Sequence, residues 1–229
     1  MPSTNPQPSV SAPTSPDGDG RPLSGRRAQA ARNDGAILDA ARRVFVDDPE
    51  APVAAVAQAA GVGISALYRR YPGKEDLLAC LCLDGLRRFV EVATAADAVP
   101  DPWESFAALV RGIVDADVHS LTVRLAGRFQ PTPEHGRLAV EAGALAGRIL
   151  TRAKEAGAVR GDVTDEDVPM VYEQLTAVRL GDTARTAELR ARYVEIQLEG
   201  LRARPDAPPL PGFAPTQAEL GARWQYRGH

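Results

Sequence analysis

The 229-residue sequence predicts an all-α protein. Three observations carry that expectation. Aromatic residues make up only 5% of the chain. The bounded runs of β-branched and aromatic residues that strands need are nearly absent. Between Pro and Gly punctuation, apolar residues recur at the helical spacing i, i+3, i+4, i+7.

Element by element, residues 1–20 are rich in Pro, Ser, Gly and Asp and carry too little apolar surface to offset the entropy of ordering them. A disordered leader is expected there. Ile37, Ala40, Ala41, Val44 and Phe45 define a first helix over 33–46, stopped by Asp47-Asp48-Pro49. A second, short helix begins at Ala51-Pro52, buries Val53, Val56, Ala57 and Ala60, and ends at Gly61. After Gly63 a third helix puts Leu67 and Tyr71 on one face, and Pro72-Gly73 closes it. Longer helices are expected over 75–96, 102–117, 121–129, 133–156, 164–180 and 183–202. A linker follows from Pro205, with a short turn over 216–224. The domain division that results is leader 1–20, trihelical unit with a basic N-terminal arm 21–76, helical domain 77–204 and tail 205–229.

Net charge is −3, which by itself argues against a phosphate-rich partner, but the charge is unevenly placed. From Arg21 to Asn33 there are Arg21, Arg26, Arg27 and Arg32 and no acid, whereas 162–167 is acidic. Cys80 and Cys82 stand i and i+2 on a helix, pointing to nearly opposite sides, so neither a disulfide nor a shared metal is expected. With no apolar run of signal or membrane-spanning length, a cytoplasmic protein without membrane contact is expected.

The stretch GVGISALYRRY, residues 61–71, contains G-x-G-x-x-A, a possible dinucleotide turn. That turn needs a strand before it and an acid at the end of a second strand. Here the preceding residues have helical periodicity, and Asp84 lies within another helix. A Gly-containing turn joining two short helices, the second of them basic, is a helix-turn-helix unit. With Leu67 and Tyr71 inward, Ser65, Ala66 and Arg69 fall on the opposite face and Tyr68 on its flank. Arg69 can fork to guanine, Ser65 can reach a base edge or phosphate, and Ala66 can meet a thymine methyl. Tyr68 and Lys74 suit phosphate oxygens, and the expected arm with Arg26, Arg27 and Arg32 suits the adjacent minor groove. The candidate interface to double-stranded DNA is therefore Arg26, Arg27, Arg32, Gly63, Ile64, Ser65, Ala66, Tyr68, Arg69, Arg70 and Lys74.

The runs ILDAARRVF (37–45), VAAVAQAAGV (53–62) and LYRRYPGKEDLL (67–78) together resemble the DNA-binding domain of TetR-family transcriptional regulators. The resemblance covers about a fifth of the chain. It implies a homodimeric regulator, usually a repressor released from a palindromic operator by a small molecule bound among variable C-terminal helices. Two departures stand out. Ala51-Pro52 replaces a common pair of threonines, and Ile64 takes a position often held by lysine.

No cofactor and no catalytic residue is expected, since His119, His135 and His229 have neither metal nor triad spacing. A helical enzyme would need a reactive constellation that the chain lacks. The alternative kept open is a small-molecule-binding or protein-interaction module that has lost DNA binding. Within the C-terminal helices, Trp103, Phe106, His119, Arg124, Arg128 and Tyr172 are the candidates for a pocket holding an unidentified effector. Val168, Val171, Leu175 and Val178 on one helix, with Leu189, Tyr193, Ile196 and Leu201 on the next, are the candidates for a dimer seam.

Overall fold

The computed structural model describes the backbone of residues 21–225 and the side chains of residues 34–225 other than 120, 122 and 123. The chain divides into two units, residues 1–35 and 36–229, and the second carries both the helix-turn-helix stretch and the C-terminal helices. The ten helices of the described residues are α1 (Arg21–Asp47), α2 (Val53–Ala60), α3 (Ile64–Arg70), α4 (Lys74–Asp97), α5 (Pro102–Asp115), α6 (Val118–Leu125), α7 (Pro133–Glu155), α8 (Asp167–Thr176), α9 (Thr183–Leu201) and α10 (Gln217–Ala222). Among the described residues the only β pairing is an isolated antiparallel bridge between Val159 and Arg202.

Side-chain caps set the starts of α5, α9 and α10, and a left-handed glycine sets the end of α2. The Asp101 carboxylate accepts from Glu104 N–H at 2.8 Å ahead of Pro102, and Asp182 accepts from Arg185 N–H at 2.8 Å. Gly61 ends α2 in the left-handed region (φ 67°), which lets Val62 N–H reach Ala57 O at 3.0 Å.

Three expected helices differ. The first starts at Arg21, twelve residues earlier than expected, so the backbone anticipated as a flexible arm is helical. Its Ala, Arg and Gln residues are good helix formers. The leader, and the side chains of Arg26, Arg27 and Arg32, lie outside the described residues. The expected helix over 121–129 is instead α6, because Asp117 (φ 48°) breaks the chain before Val118 and Gly127 (φ 76°) turns it before Phe129. The expected helix over 164–180 shortens to α8 at both ends. Thr164 N–H and hydroxyl donate to the Asp167 carboxylate at 2.8 and 3.2 Å, delaying the start. At the far end Arg190 binds the carbonyls of Thr176 and Val178, each at 3.2 Å.

Two apolar clusters result. One gathers Ile37, Ala40, Phe45, Val53, Val56, Leu67, Tyr71, Leu77 and Leu81, joined by Leu121 and Leu125 from α6 and by Phe129. The other gathers Trp103, Phe106, Leu109, Ile113, Ile149, Tyr172, Leu175, Val194 and Leu198. The first half of α4 belongs to the former and its last turns, through Ala93 and Ala96, to the latter. This helix is thus a continuous rod between them.

Where α4 meets α5 the fit is close: a Cβ on Gly112 would lie 2.6 Å from Val92 Cγ1. Gly112→Ala would add at most about 1 kcal/mol of helix propensity. Overpacking against a β-branched side chain that cannot swing away outweighs it. A net loss of about 1–3 kcal/mol is expected, read as a lower urea midpoint at unchanged slope.

Candidate nucleic-acid interface and internal cavity

The stretch GVGISALYRRY holds the turn that joins α2 to α3 and then α3 itself, and with helix on both sides of the turn the dinucleotide reading has no strand to stand on. Gly63 caps α3 in extended conformation, and Tyr71 N–H closes the helix on Leu67 O at 2.8 Å. Leu67 and Tyr71 are buried, as the spacing requires. Ser65, Arg69 and Arg70 are exposed, Ala66 is half-buried, Ile64 is 40% exposed and Tyr68 48%. All these residues share one short helix, so one face presents a guanidinium, a hydroxyl, a phenol and a branched apolar group together.

The rim is less free than the face. Arg70 sits with its guanidinium carbon 5.8 Å from the Tyr71 ring centroid. Lys74 Nζ lies 5.4 Å over the Phe45 ring and 3.9 Å from Glu50, which also pairs with Arg128. Lys74 therefore has to yield a loose ion pair to meet a phosphate. At the start of α2, Pro52 offers no side-chain cap and Ala51 is buried, so the first N–H groups of that helix lack the hydroxyl partner a threonine would supply.

The second feature is a cavity of about 450 Å³. Its walls are Cys82, Leu86 and Phe89 from α4, Phe106 and Leu109 from α5, Val118 and His119 from α6, and Val168, Pro169 and Tyr172 from α8. Phe129 and Pro131 precede α7, which contributes Gly136, Ala139, Gly143, Ala146, Gly147 and Leu150. Small residues at i, i+3, i+4 spacing on one face of α7 leave the space unfilled. Trp224 closes one side.

Polar groups on this lining are few. His119 Nε2 and Tyr172 Oη are buried without a protein partner, and the two rings lie 5.3 Å apart. Burial, with a smaller contribution from the Arg223 charge, pushes the His119 imidazole down to about 4. Burial alone pushes the Tyr172 phenol up and the Cys82 thiol up to about 12. His135, also on the wall, is satisfied: its Nδ1 accepts from Thr132 N–H at 3.1 Å and its Nε2 lies 3.0 Å from Ala79 O. Asp165 is the acid on the lining, which holds no lysine or arginine.

Of the six pocket candidates, Phe106, His119 and Tyr172 line the cavity. Trp103 does not, because it is buried in the core with the Arg202 guanidinium 3.7 Å from its ring centroid. Arg128 is held by Glu50, and Arg124 stands on α6 away from the lining. Glycines and alanines on α7 carried a signal that a search for bulky periodic residues passes over. Trp224 carried none, since it falls in what reads as a tail.

The expected seam is likewise redrawn. Val168, Val171 and Leu175 are buried within the chain, and Val178 is half-buried. On α9 the positions 189, 193, 196 and 200 form one face, on which Tyr193 is 42% and Ile196 55% exposed and Gly200 meets no neighbouring atom.

Cys80 is half-buried and Cys82 buried, and the two are not joined in a disulfide. Among the described residues no helix is long and apolar enough to cross a membrane.

Comparison with known proteins agrees with this arrangement. Residues 37–81 match the family model for bacterial regulatory proteins of the tetR family, and residues 101–203 match the model for the C-terminal domain of SbtR-like transcriptional regulators. The HTH-type transcriptional repressor LfrR of Mycolicibacterium smegmatis is 34% identical over 110 residues, which is 48% of this chain and 54% of that repressor. The match thus spans about half the length of that relative. Among solved structures, the TetR transcription regulatory protein of Mycobacterium vanbaalenii aligns over 78% of this chain and 99% of its own, at 27% identity and a TM-score of 0.52. LfrR of Mycobacterium smegmatis, solved in complex with proflavine, aligns over 79% of this chain and 99% of its own, at 22% identity and a TM-score of 0.56. With the two family models covering the helix-turn-helix unit and the helical domain in turn, the chain belongs to the TetR family of bacterial regulatory proteins.

Proposed function

We propose that this regulator is a dimeric repressor that binds a palindromic operator through α3 and leaves it when a small molecule fills the cavity. The observation that carries the reading is the dual membership of α4. Leu77, Leu78 and Leu81 on its first half support the cluster under α3, while Cys82, Leu86 and Phe89 on the next turns wall the cavity. A ligand that pushes on those three side chains tilts a rod to which α3 is attached. Half-sites lie about 34 Å or a multiple apart, so a small change in the separation of two recognition helices defeats simultaneous docking. A coupling of about 1–3 kcal/mol is enough for an affinity change of 5- to 150-fold.

Dimerisation is assigned to the α9 face of Leu189, Tyr193, Ile196 and Gly200, where apolar side chains stand in solvent and a glycine permits close approach of a second helix. The cavity lining selects the effector: largely apolar, without a carboxylate or phosphate, and bearing a group that hydrogen-bonds to a neutral imidazole and a phenol. The proflavine bound by LfrR is a sensible first compound to test, because Asp165 is the charged group on the wall.

Selection of random duplexes by the purified protein at two salt concentrations tests the reading. An enriched palindrome whose binding falls steeply with salt is expected. Arg69→Ala is then expected to cost about 1–3 kcal/mol at one base position and to relax preference there. No enrichment and no salt-sensitive binding would instead favour a ligand-binding module in which Ala51 and Ile64 mark a lost DNA interface.

A further inference from the structure

We propose that Trp224 is a ligand-contacting residue of the cavity and that the segment 216–225 carrying it governs how fast a ligand leaves. This rests on the reading of the cavity as the effector site. The match to the C-terminal family model ends at residue 203, so this wall of the cavity is supplied by a part of the chain that the family match does not cover.

The segment returns to the cavity by specific contacts. Beyond α9 the chain is first pinned near Asp162, which accepts from Leu210 N–H at 2.9 Å, while Arg160 donates to Pro208 O at 2.7 Å. It then passes Phe213, which is fully exposed, and forms α10 on a reciprocal capping box between Thr216 and Glu219. At the cavity Arg223 pairs with Glu173, the neighbour of the wall residue Tyr172. The Trp224 ring meets Phe129 edge-on at 6.4 Å between centroids. Gly127 makes room for this approach: a Cβ there would stand 2.9 Å from Gln225 O, and its φ of 76° already favours glycine.

These contacts are good enough to position the indole and too few to lock it. No residue of α10 is buried, so the helix adds little apolar area to holding the segment down. A segment with an inner anchor at 208–210 opens at its outer end by releasing the Arg223–Glu173 pair and the packing of the indole on Phe129 and the cluster around it. The indole is then part of the surface that a ligand touches, and its displacement widens an opening that exposed Gly136, Ala139 and Gly143 already border.

The test uses the full chain and N-phenyl-1-naphthylamine, an uncharged diaryl amine that fluoresces in apolar surroundings. Equilibrium titration and stopped-flow release are read for wild type, Trp224→Ala, Trp224→Phe and Gly143→Leu. Gly143 lines the cavity and a Cβ there meets no atom within 4 Å, so Gly143→Leu puts bulk into the space and also favours the helix. We expect Gly143→Leu to abolish binding, Trp224→Phe to stay near wild type, and Trp224→Ala to release the probe about tenfold faster through loss of an aromatic wall and its cover. In a Trp103→Phe background Trp224 is the one remaining tryptophan, and its emission is expected to pass to the bound probe. Should Trp224→Ala fold poorly, Arg223→Ala removes the Glu173 anchor while leaving the wall in place, and faster release is expected from it too. Wild-type release rates from these variants, with binding still abolished by Gly143→Leu, overturn the role of Trp224 and leave the cavity as the site. Binding that is indifferent to Gly143→Leu overturns the cavity reading itself, and this proposal with it.

Discussion

Replacing Arg190 by alanine is expected to lower the stability of the fold by about 3 kcal/mol or more. Its guanidinium, on α9, is buried and fully engaged, donating to Asp117 Oδ1 at 2.7 Å and to the carbonyls of Thr176 and Val178 at 3.2 Å each. Two of its partners are carbonyls at the end of α8, where a cation also meets the negative end of the helix dipole. Truncation takes a cationic partner from the Asp117 carboxylate and leaves two carbonyls facing a void, and a buried group that loses its partner costs its desolvation. Asp117 keeps some exposure, which holds the figure at the lower end of the range for a broken buried pair. At about 2–4 °C per kcal/mol for a chain of this size, a melting temperature lower by about 10 °C is expected. Asp117→Asn provides the control: asparagine tolerates the positive φ and keeps a bond to Arg190, so it should cost clearly less. Equal losses from both variants would show that the charge, not the hydrogen-bonded clamp, carries the stability. The clamp also bears on function, because Asp117 is the residue from which α6 departs with Val118 and His119 on the cavity and Leu121 and Leu125 on the cluster under α3.

That same arginine shows where sequence reading stops. Periodicity placed α2, α3, α5, α7 and α9 within a few residues, because a cap, a proline or a glycine marks each end locally. It overran α8, because what ends that helix is a guanidinium twelve or more positions on, taking its last carbonyls. It misplaced α6, because the break before that helix is a single aspartate in left-handed conformation, with no glycine or proline to mark it. The outward face of α3 was legible, since buried Leu67 and Tyr71 alone fix which side of the helix is out. The cavity was half legible for a physical reason: a pocket is missing bulk, and the residues that make it, Gly136, Ala139, Gly143, Ala146 and Gly147, are those that apolar scoring weights least. Neither arginine candidate is on the cavity lining, and for Arg128 the reason is an ion pair across elements with Glu50.

Stability is expected to fall as the pH is lowered from about 6.5 toward 4, and His119→Gln to remove much of that fall. Proton linkage sets the sign. Burial, aided by the Arg223 charge, holds the His119 imidazole down at about 4 in the folded chain, against an ordinary value of 6.5. Below 6.5 the unfolded chain binds a proton that the folded chain refuses until about 4, so unfolding is drawn forward at about 1.4 kcal/mol per pH unit. Across the whole window the loss approaches about 3 kcal/mol. Carboxylates held below their ordinary range, such as Asp162 beside Arg160 and Glu195 beside Arg111, lose their contribution only as pH falls below the ordinary carboxylate value near 4. Between 6.5 and 4.5 the difference between wild type and His119→Gln therefore isolates the imidazole, read from urea midpoints at each pH. Arg223→Ala removes the lesser of the two causes, so the fall should be modestly smaller and end at a higher pH. A difference curve that is flat over this interval would mean that His119 reaches solvent and is not buried against Tyr172. On the proposed reading of the cavity as the effector site, the neutral imidazole leaves Nε2 as an uncharged hydrogen-bonding group, which would not repel an uncharged or cationic aromatic molecule.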